Sequence, residues 1–377
     1  MHTQPNVTKK VFNWLSVAFF VYLMLVAVGT VSSGFKLFSG GSEGAKEIFE
    51  FATNPFVALL MGALATALVQ SSSTVTSVIV GLVAGGLPLG IAIPMIMGAN
   101  IGTTITNTIV SFGHIRDKEE FRRAFSASTV HDFFNLIAVL IFLPLELAFG
   151  LLEKLASALA HLFIGDADLS MKSMNFMKPL ISPGVDLAKS VLGFFEGKTL
   201  GMGLVILGIG LILISVTLLG KILKKVMVGR AKDILHRAIG RGPIAGITSG
   251  ALVTVMVQSS STTTSLMIPL AGNGMFTTKQ IYPFTLGANI GTTITALLAA
   301  TAISGPTALV ALTISLVHVL FNLLAVLVIY GLPFLRELPI KAAEKLAQIG
   351  TKNKSLALGY VLSVFFLIPG FMVLAVR

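Results

Sequence analysis

Residues 69–74 read VQSSST, and residues 257–262 read VQSSST again. Each copy is followed by a second shared phrase, GANIGTTIT, at 98–106 and at 287–295. The offset between copies is 188 residues for the first phrase and 189 for the second. Identities of six and nine residues, in one order and at nearly one offset, are beyond chance, so the chain is an internal duplication. A third pair extends it: VHDFFNLIAVL at 130–140 matches VHVLFNLLAVL at 317–327. The shared phrases are polar, yet they interrupt some of the most apolar stretches of the chain. A buried polar site assembled from two halves is the usual construction of a secondary transporter.

Composition sets the class. Charged residues make up 11% of the chain and hydrophobic residues 54%, whereas a soluble domain carries about 25% charged residues. Several apolar stretches reach about 20 residues, enough to cross the hydrocarbon of a bilayer. The chain reads as an all-α polytopic membrane protein. Its net charge of +11 comes from Lys and Arg clustered beside the apolar stretches, the pattern of topology signals and lipid contacts and not of a nucleic-acid surface. With no cysteine, disulfides, thiol chemistry and thiolate metal sites are excluded. No spacing of His, Asp or Glu suits a metal, no nucleotide loop is present, and no nucleophile has a base near it in sequence, so an enzyme is not expected. No cofactor is expected either.

The expected layout is two inverted-topology repeats. Repeat 1 covers 11–146: a span, a re-entrant helical hairpin at 55–86, a broken span at 87–110 and a span at 125–145. Residues 147–203 form an outer-face amphipathic segment, helical over 151–164 and loop-like beyond it. Repeat 2 covers 204–333, with its hairpin at 243–272, a broken span at 281–300 and a span at 308–330. A cytoplasmic loop at 334–354 leads to a last transmembrane helix at 355–377. The apolar run after Lys9 and Lys10 is also compatible with a cleaved signal peptide. Its length and its counterpart at 204–220 favour a retained helix.

The hairpin reading rests on length and charge. The arm 55–69 extends about 22 Å as a helix, short of a full crossing. Irregular backbone at that depth is tolerated only where protein or a wet cavity surrounds it. If each hairpin enters and leaves on one side, each repeat crosses three times and the second is upside down. The basic loops at 115–125, 221–241 and 335–354 then all fall on the side of Lys9 and Lys10, as the positive-inside rule asks. That side is the cytoplasm, which places the C-terminus outside.

The chemistry is constrained by what the core lacks. No Asp, Glu, Lys or Arg occurs between Glu50 and Arg116, between Arg241 and Lys279, or between Lys279 and Arg336. An arginine-built anion site is therefore unlike this core. Hydroxyls, amides and backbone N–H groups at a helix start remain, and a helix N-terminus carries roughly half a positive charge. The second arm of each hairpin starts at the serine cluster, at Ser71, Ser72 and Ser73 and at Ser259, Ser260 and Ser261. Breaks expected at 98–102 and 287–291 would free carbonyl oxygens. With Asn100, Thr103, Asn289 and Thr292, these are hard ligands suited to Na⁺. Residue reading alone thus leads to a sodium-coupled carrier of a small anion. Packing of small residues between helices is the competing explanation for each phrase alone, and the duplication weighs against it.

At these residues the chain resembles the type II sodium/phosphate cotransporter family, as a bacterial member. The likeness covers both VQSSST copies, GANIGTTITNTIVS at 98–111, FRRAFSASTVHDFFN at 121–135 and GANIGTTITALLAA at 287–300. It implies Na⁺-driven uptake of inorganic phosphate by alternating access, in a bacterial-type inner membrane. Phosphate would be held by Gln70, Ser71, Ser72, Ser73, Gln258, Ser259, Ser260 and Ser261. Sodium would be held by Asn100, Thr103, Thr104, Asp132, Asn289, Thr292 and Thr293, with Thr74 and Thr262. Partners are then phosphate, Na⁺ and lipid, with a homo-oligomer compatible.

Asp132 stands where repeat 2 has Val319, and an acid within a span is a functional hypothesis by default. The resemblance gives it a role in an extra sodium site and hence electrogenic transport. The alternative is an interfacial acid paired with Arg122 or Arg123. His131 and His318 are repeat-equivalent and read as packing or local hydrogen-bonding groups rather than a proton relay. Asn135 and Asn322 read as helix joiners. A sodium/dicarboxylate carrier and an anion channel are the rival functions.

Overall fold

The computed structural model describes residues 7–164, 177–238 and 241–375, and these contain helices and no strand. In chain order the first half runs α1 (Val7–Ser39), α2 (Ser42–Ile48), α3 (Pro55–Val69), α4 (Ser72–Ala84), α5 (Leu89–Gly102), α6 (Ile105–Ser111) and α7 (Lys118–Phe149). Helices α8 (Leu151–Ile164) and α9 (Lys178–Val191) follow. The second half runs α10 (Gly197–Ala238), α11 (Pro243–Val257), α12 (Ser260–Ser265), α13 (Met267–Gly272), α14 (Thr278–Ala300) and α15 (Ala308–Ala325). Helices α16 (Pro333–Lys352), α17 (Lys354–Leu362) and α18 (Ile368–Ala375) complete it. Among the described residues 7 helices are long and apolar enough to cross a membrane: Val11–Ser39, Leu89–His114, Lys118–Phe149, Gly197–Val226, Thr278–Ala300, Gly305–Tyr330 and Lys354–Ala375.

Helix ends follow local chemistry. Asn54 accepts from the Phe56 N–H at 2.9 Å and Pro55 follows as the first helical residue, so α3 starts there. Asp117 caps α7 through the N–H groups of Glu119 and Glu120. Gly150, in the left-handed region at φ 60°, ends α7. The buried Glu146 carboxylate then turns back to accept from the Leu152 N–H at 2.6 Å, capping the helix that follows. A carboxylate near a helix N-terminus is stabilised by the helix dipole.

The two halves repeat one packing unit. The first arm α3 packs along α5, and the first arm α11 packs along α14. The contact depends on glycine. A Cβ on Gly98 would sit 1.8 Å from the Leu59 carbonyl oxygen, and one on Gly287 would sit 1.9 Å from that of Ile247. The glycines of GANIG therefore let a helix backbone lie in contact with the arm beside it, as small residues do between membrane helices. Outside these units α1 lies along α10, α7 along α16, and α8 along α15.

Four expectations need correction. The break expected at 287–291 is absent: α14 is one helix from Thr278 to Ala300. In the first copy the helix also continues through the glycines and is interrupted only at Thr103 and Thr104. The glycines serve close approach and not chain breaking, so no carbonyls are released at them. The basic stretches at 221–241 and 335–354 are not loops. The first continues α10 as far as Ala238 and the second forms α16. Lys, Arg and Glu are good helix formers, and their charge selects a side of the membrane without selecting a conformation. The segment beyond residue 164 is loop-like only in part, because α9 occupies Lys178–Val191.

Candidate functional site: two serine turns bridged by one hydroxyl

Each VQSSST phrase makes the same turn. Gln70 has φ 56° and ψ 29°, and Gln258 has φ 54° and ψ 31°. Among the described residues they are the only non-glycine residues with positive φ. The left-handed region costs a non-glycine residue roughly 1–2 kcal/mol, and such strain collects at functional sites. The next residue in each copy is extended and caps the following helix. Ser71 Oγ accepts from the Thr74 N–H at 3.2 Å, and Ser259 Oγ accepts from the Thr262 N–H at 3.2 Å. The turn thus ends one short helix and starts another within two residues. Two buried helix starts result, lined by Ser72 and Ser73 in one copy and by Ser260 and Ser261 in the other.

The turns meet at a residue of the second half. Thr295, in the second GANIGTTIT, donates to Gln258 Oε1 at 3.0 Å and lies 3.5 Å from Ser73 Oγ. One hydroxyl therefore bridges both turns. In the first half Asn107 donates to Thr264 Oγ1 at 2.8 Å and accepts from Ser265 Oγ at 2.9 Å, just beyond the second serine cluster. The equivalence between halves is not carried through to every side chain. Gln258 also donates to the Val255 carbonyl at 2.8 Å and is half-buried, while Gln70 is exposed.

Beside the turns lies a buried amide–imidazole network. His131 Nε2 is 2.7 Å from Asn289 Oδ1, and His318 Nε2 is 3.2 Å from Asn100 Oδ1. Each histidine reaches the asparagine of the other half. Asn289 donates onward to Asn135 Oδ1 at 2.8 Å, and Asn100 to Asn322 Oδ1 at 3.3 Å. Asn135 closes the set by donating to the Asn100 carbonyl at 2.8 Å. All six side chains are at most 2% exposed. The network ties the halves together, while Nδ1 of each histidine is buried without a partner among the described residues.

Asp132 belongs to a different cluster. It is 1% exposed and accepts from the Tyr360 hydroxyl at 3.0 Å, through Oδ2. The Thr104 and Thr108 side chains lie beside it, and its Oδ1 is buried without a partner among the described residues. The arginine pairing considered from sequence does not occur. Arg122 binds Glu119 at 2.9 Å, and Arg123 donates to the Gly272 carbonyl at 2.8 Å.

The residues singled out from sequence therefore fall into three places. Of the two phrases, Ser73 and Gln258 meet at Thr295. Thr104 joins Asp132. Asn100 and Asn289 each give a lone pair of Oδ1 to a histidine, so the side-chain oxygens assigned to sodium already work as cross-links. The threonines turn inward: Thr103 donates to the Ala99 carbonyl, Thr292 to that of Ala288 and Thr293 to that of Ile290. Thr74 donates to Ser71 Oγ at 2.8 Å, and Thr262 accepts from Ser259 at 3.0 Å. Sequence reading missed Thr295 and Asn107 as bridges and Tyr360 as the partner of Asp132. The first two lie in or next to the duplicated phrase, which was the available signal. Tyr360 lies beyond the duplication and had none.

The chain has relatives among known proteins. A family model described as Na+/Pi-cotransporter matches residues 23–170 and 211–335. Human sodium-dependent phosphate transport protein 2B is 34% identical over 440 residues, covering 93% of this chain and 63% of its own length. Rat sodium-dependent phosphate transport protein 2A is 34% identical over 419 residues, covering 93% of this chain and 65% of its own length. The chain thus spans under two thirds of the length of these relatives. No solved structure matches it. With most of its length matched, the chain belongs to the Na+/Pi-cotransporter family.

Proposed function

We propose that the protein is a secondary active transporter that takes up inorganic phosphate in symport with sodium by alternating access. The observation that carries this reading is the meeting of the two uncharged serine turns at Thr295, through Ser73 and Gln258, in a buried region of a helical membrane protein. Free N–H groups and hydroxyls at Ser72, Ser73, Ser260 and Ser261 are suited to an oxyanion. Gln70 and Gln258 flank them, and Ser71 and Ser259 hold the helix starts in place. The relatives' names supply the identity of the anion and of the coupling ion.

A site without arginine needs a cation bound with its anion. A unit charge pair about 4 Å apart is worth roughly 4 kcal/mol at an effective dielectric of 20, enough to make phosphate affinity depend on sodium. Asp132, with Thr104 and Thr108 beside it and one oxygen unpaired, is the group proposed for an extra sodium and for net charge movement. Carbonyls at the Thr103–Thr104 interruption supply further hard oxygens. The same reading takes the two halves as inverted repeats, each with a re-entrant hairpin. It places the protein in a bacterial-type inner membrane with its N-terminus in the cytoplasm and its C-terminus outside.

The test is uptake of radiolabelled phosphate into proteoliposomes with and without an inward sodium gradient. Uptake is expected only with the gradient and is expected to collapse in Ser72→Ala/Ser260→Ala. Equal uptake without sodium would point to a channel, and competition by succinate would point to a dicarboxylate carrier; either would end this reading.

A further inference from the structure

A polar cavity lies at the far end of α11 from Gln258, about 22 Å away along the helix axis. It encloses about 280 Å³, and Lys279, Tyr282, Tyr330 and Arg336 supply its functional groups beside the start of α11 at Gly242. Among the described residues its lining holds two cationic side chains and no carboxylate. The Tyr282 side chain is fully buried, and its hydroxyl has no partner among the described residues. Arg336 Nε is buried and equally without a partner.

These groups sit together. The Arg336 guanidinium carbon lies 5.4 Å from the centre of the Tyr330 ring, and that ring lies 5.4 Å from the Tyr282 ring. Lys279 is held at the rim by Glu337 at 2.9 Å. Helix α11 begins here with no side-chain cap among the described residues, and a helix start carries the positive end of the dipole. An unpaired buried donor costs free energy, and two buried groups of this cavity, the Tyr282 hydroxyl and Arg336 Nε, have no acceptor among the described residues. Arginine's planar fork suits a phosphate group in particular. The volume is at the small end for ligand pockets, which run from about 300 Å³.

We propose that this cavity binds a phosphate oxyanion through Arg336, Lys279 and Tyr282, separately from the serine turns. The oxyanion comes either from an anionic lipid headgroup or from inorganic phosphate. Basic pockets between membrane helices bind lipid headgroups in this way. The binding stands whether or not the serine turns carry phosphate.

The test uses the full chain in nanodiscs and four sequences: the unaltered protein, Arg336→Gln, Tyr282→Phe and Glu337→Gln. One arm compares the unfolding midpoint in phosphatidylcholine with that in an equal mixture of phosphatidylcholine and phosphatidylglycerol. The other measures radiolabelled phosphate binding in sodium-free buffer, where the proposed transport site is silent. If the source is a headgroup, the anionic lipid raises the midpoint, and Arg336→Gln and Tyr282→Phe abolish the increment. If the source is free phosphate, a sodium-independent site appears and weakens at least about tenfold in the same two variants. In either case Glu337→Gln strengthens binding, because it releases Lys279. Tyr282→Phe keeps the ring and carries no charge, so it distinguishes this site from a general surface effect and keeps the test readable if Arg336→Gln does not fold. Ligand effects that are absent, or that persist unchanged in Tyr282→Phe, would overturn the proposal and leave a water-filled cavity.

Discussion

His131 Nε2 lies 2.7 Å from Oδ1 of Asn289, a residue of the other half of the chain. The Asn289 amide nitrogen is committed to Asn135, so the atom facing the histidine is an acceptor and the imidazole donates from Nε2. The same logic applies to His318 and Asn100, at 3.2 Å. Both histidines are then donors tying one half to the other. Removing the donor leaves a buried carbonyl unpaired, a loss of about 1–3 kcal/mol. His131→Ala should lower the unfolding midpoint in detergent. A double-mutant cycle with Asn289→Ala should show coupling, because the two residues share one bond. Strictly additive effects would contradict this account.

Thr295 bridges the two serine turns, so its loss should be felt in substrate affinity before stability. Thr295→Ala removes one hydrogen bond, to Gln258, and a 3.5 Å contact with Ser73. At about 0.5–1.5 kcal/mol per neutral hydrogen bond, the concentration of phosphate for half-maximal uptake should rise roughly two- to tenfold. Thr295→Ser, which keeps the hydroxyl, should restore it. The measurement is phosphate-dependent uptake at fixed sodium.

Glycine at 98 and 287 is required by contact and not by backbone angle. A Cβ at Gly98 would lie 1.8 Å from the Leu59 carbonyl oxygen. Overpacking usually costs about 1–3 kcal/mol, and backbone on both sides puts Gly98→Ala at the upper end or beyond. Gly90 lies in the same helix with nothing within 4 Å of its added Cβ. Gly90→Ala should therefore be neutral or stabilising by up to about 1 kcal/mol. Thermal unfolding of the two variants side by side decides the matter.

Much of the fold could be read before the structure, for identifiable reasons. The apolar runs mark the long helices because a span must be apolar for its whole length, and the duplicated polar phrases mark the turns because nothing else tolerates polarity there. Conformation inside a phrase was harder. GANIG contains two glycines, which equally suit a broken helix or a close-packed one, and only the neighbouring arm shows which applies. Charge identified the stretches 221–241 and 335–354 as one kind of surface and left their helicity unread. The partners of Asp132 were hidden because Tyr360 arrives from a helix outside the repeat, with no pattern to announce it.

Tyr360 gives Asp132 its one hydrogen bond among the described residues, at 3.0 Å. Asp132→Asn should reduce the charge moved per phosphate and change the sodium dependence of uptake. Tyr360→Phe removes the donor and keeps the ring and the carboxylate. It should shift half-saturation by sodium about two- to tenfold while leaving charge per phosphate intact. Simultaneous recording of current and radiolabelled uptake separates the two results. An unchanged ratio in Asp132→Asn would remove this residue from the coupling mechanism.

The crossed bonds described above leave neither half self-sufficient. His131 and His318 each look to the opposite half for an acceptor, and Ser73 and Gln258 share a hydroxyl from a helix that belongs to only one of them. A fragment ending between the halves would present bare imidazoles and amides to a hydrocarbon interior. Two such fragments made in one cell should seek each other out and reassemble, while either alone is left for degradation.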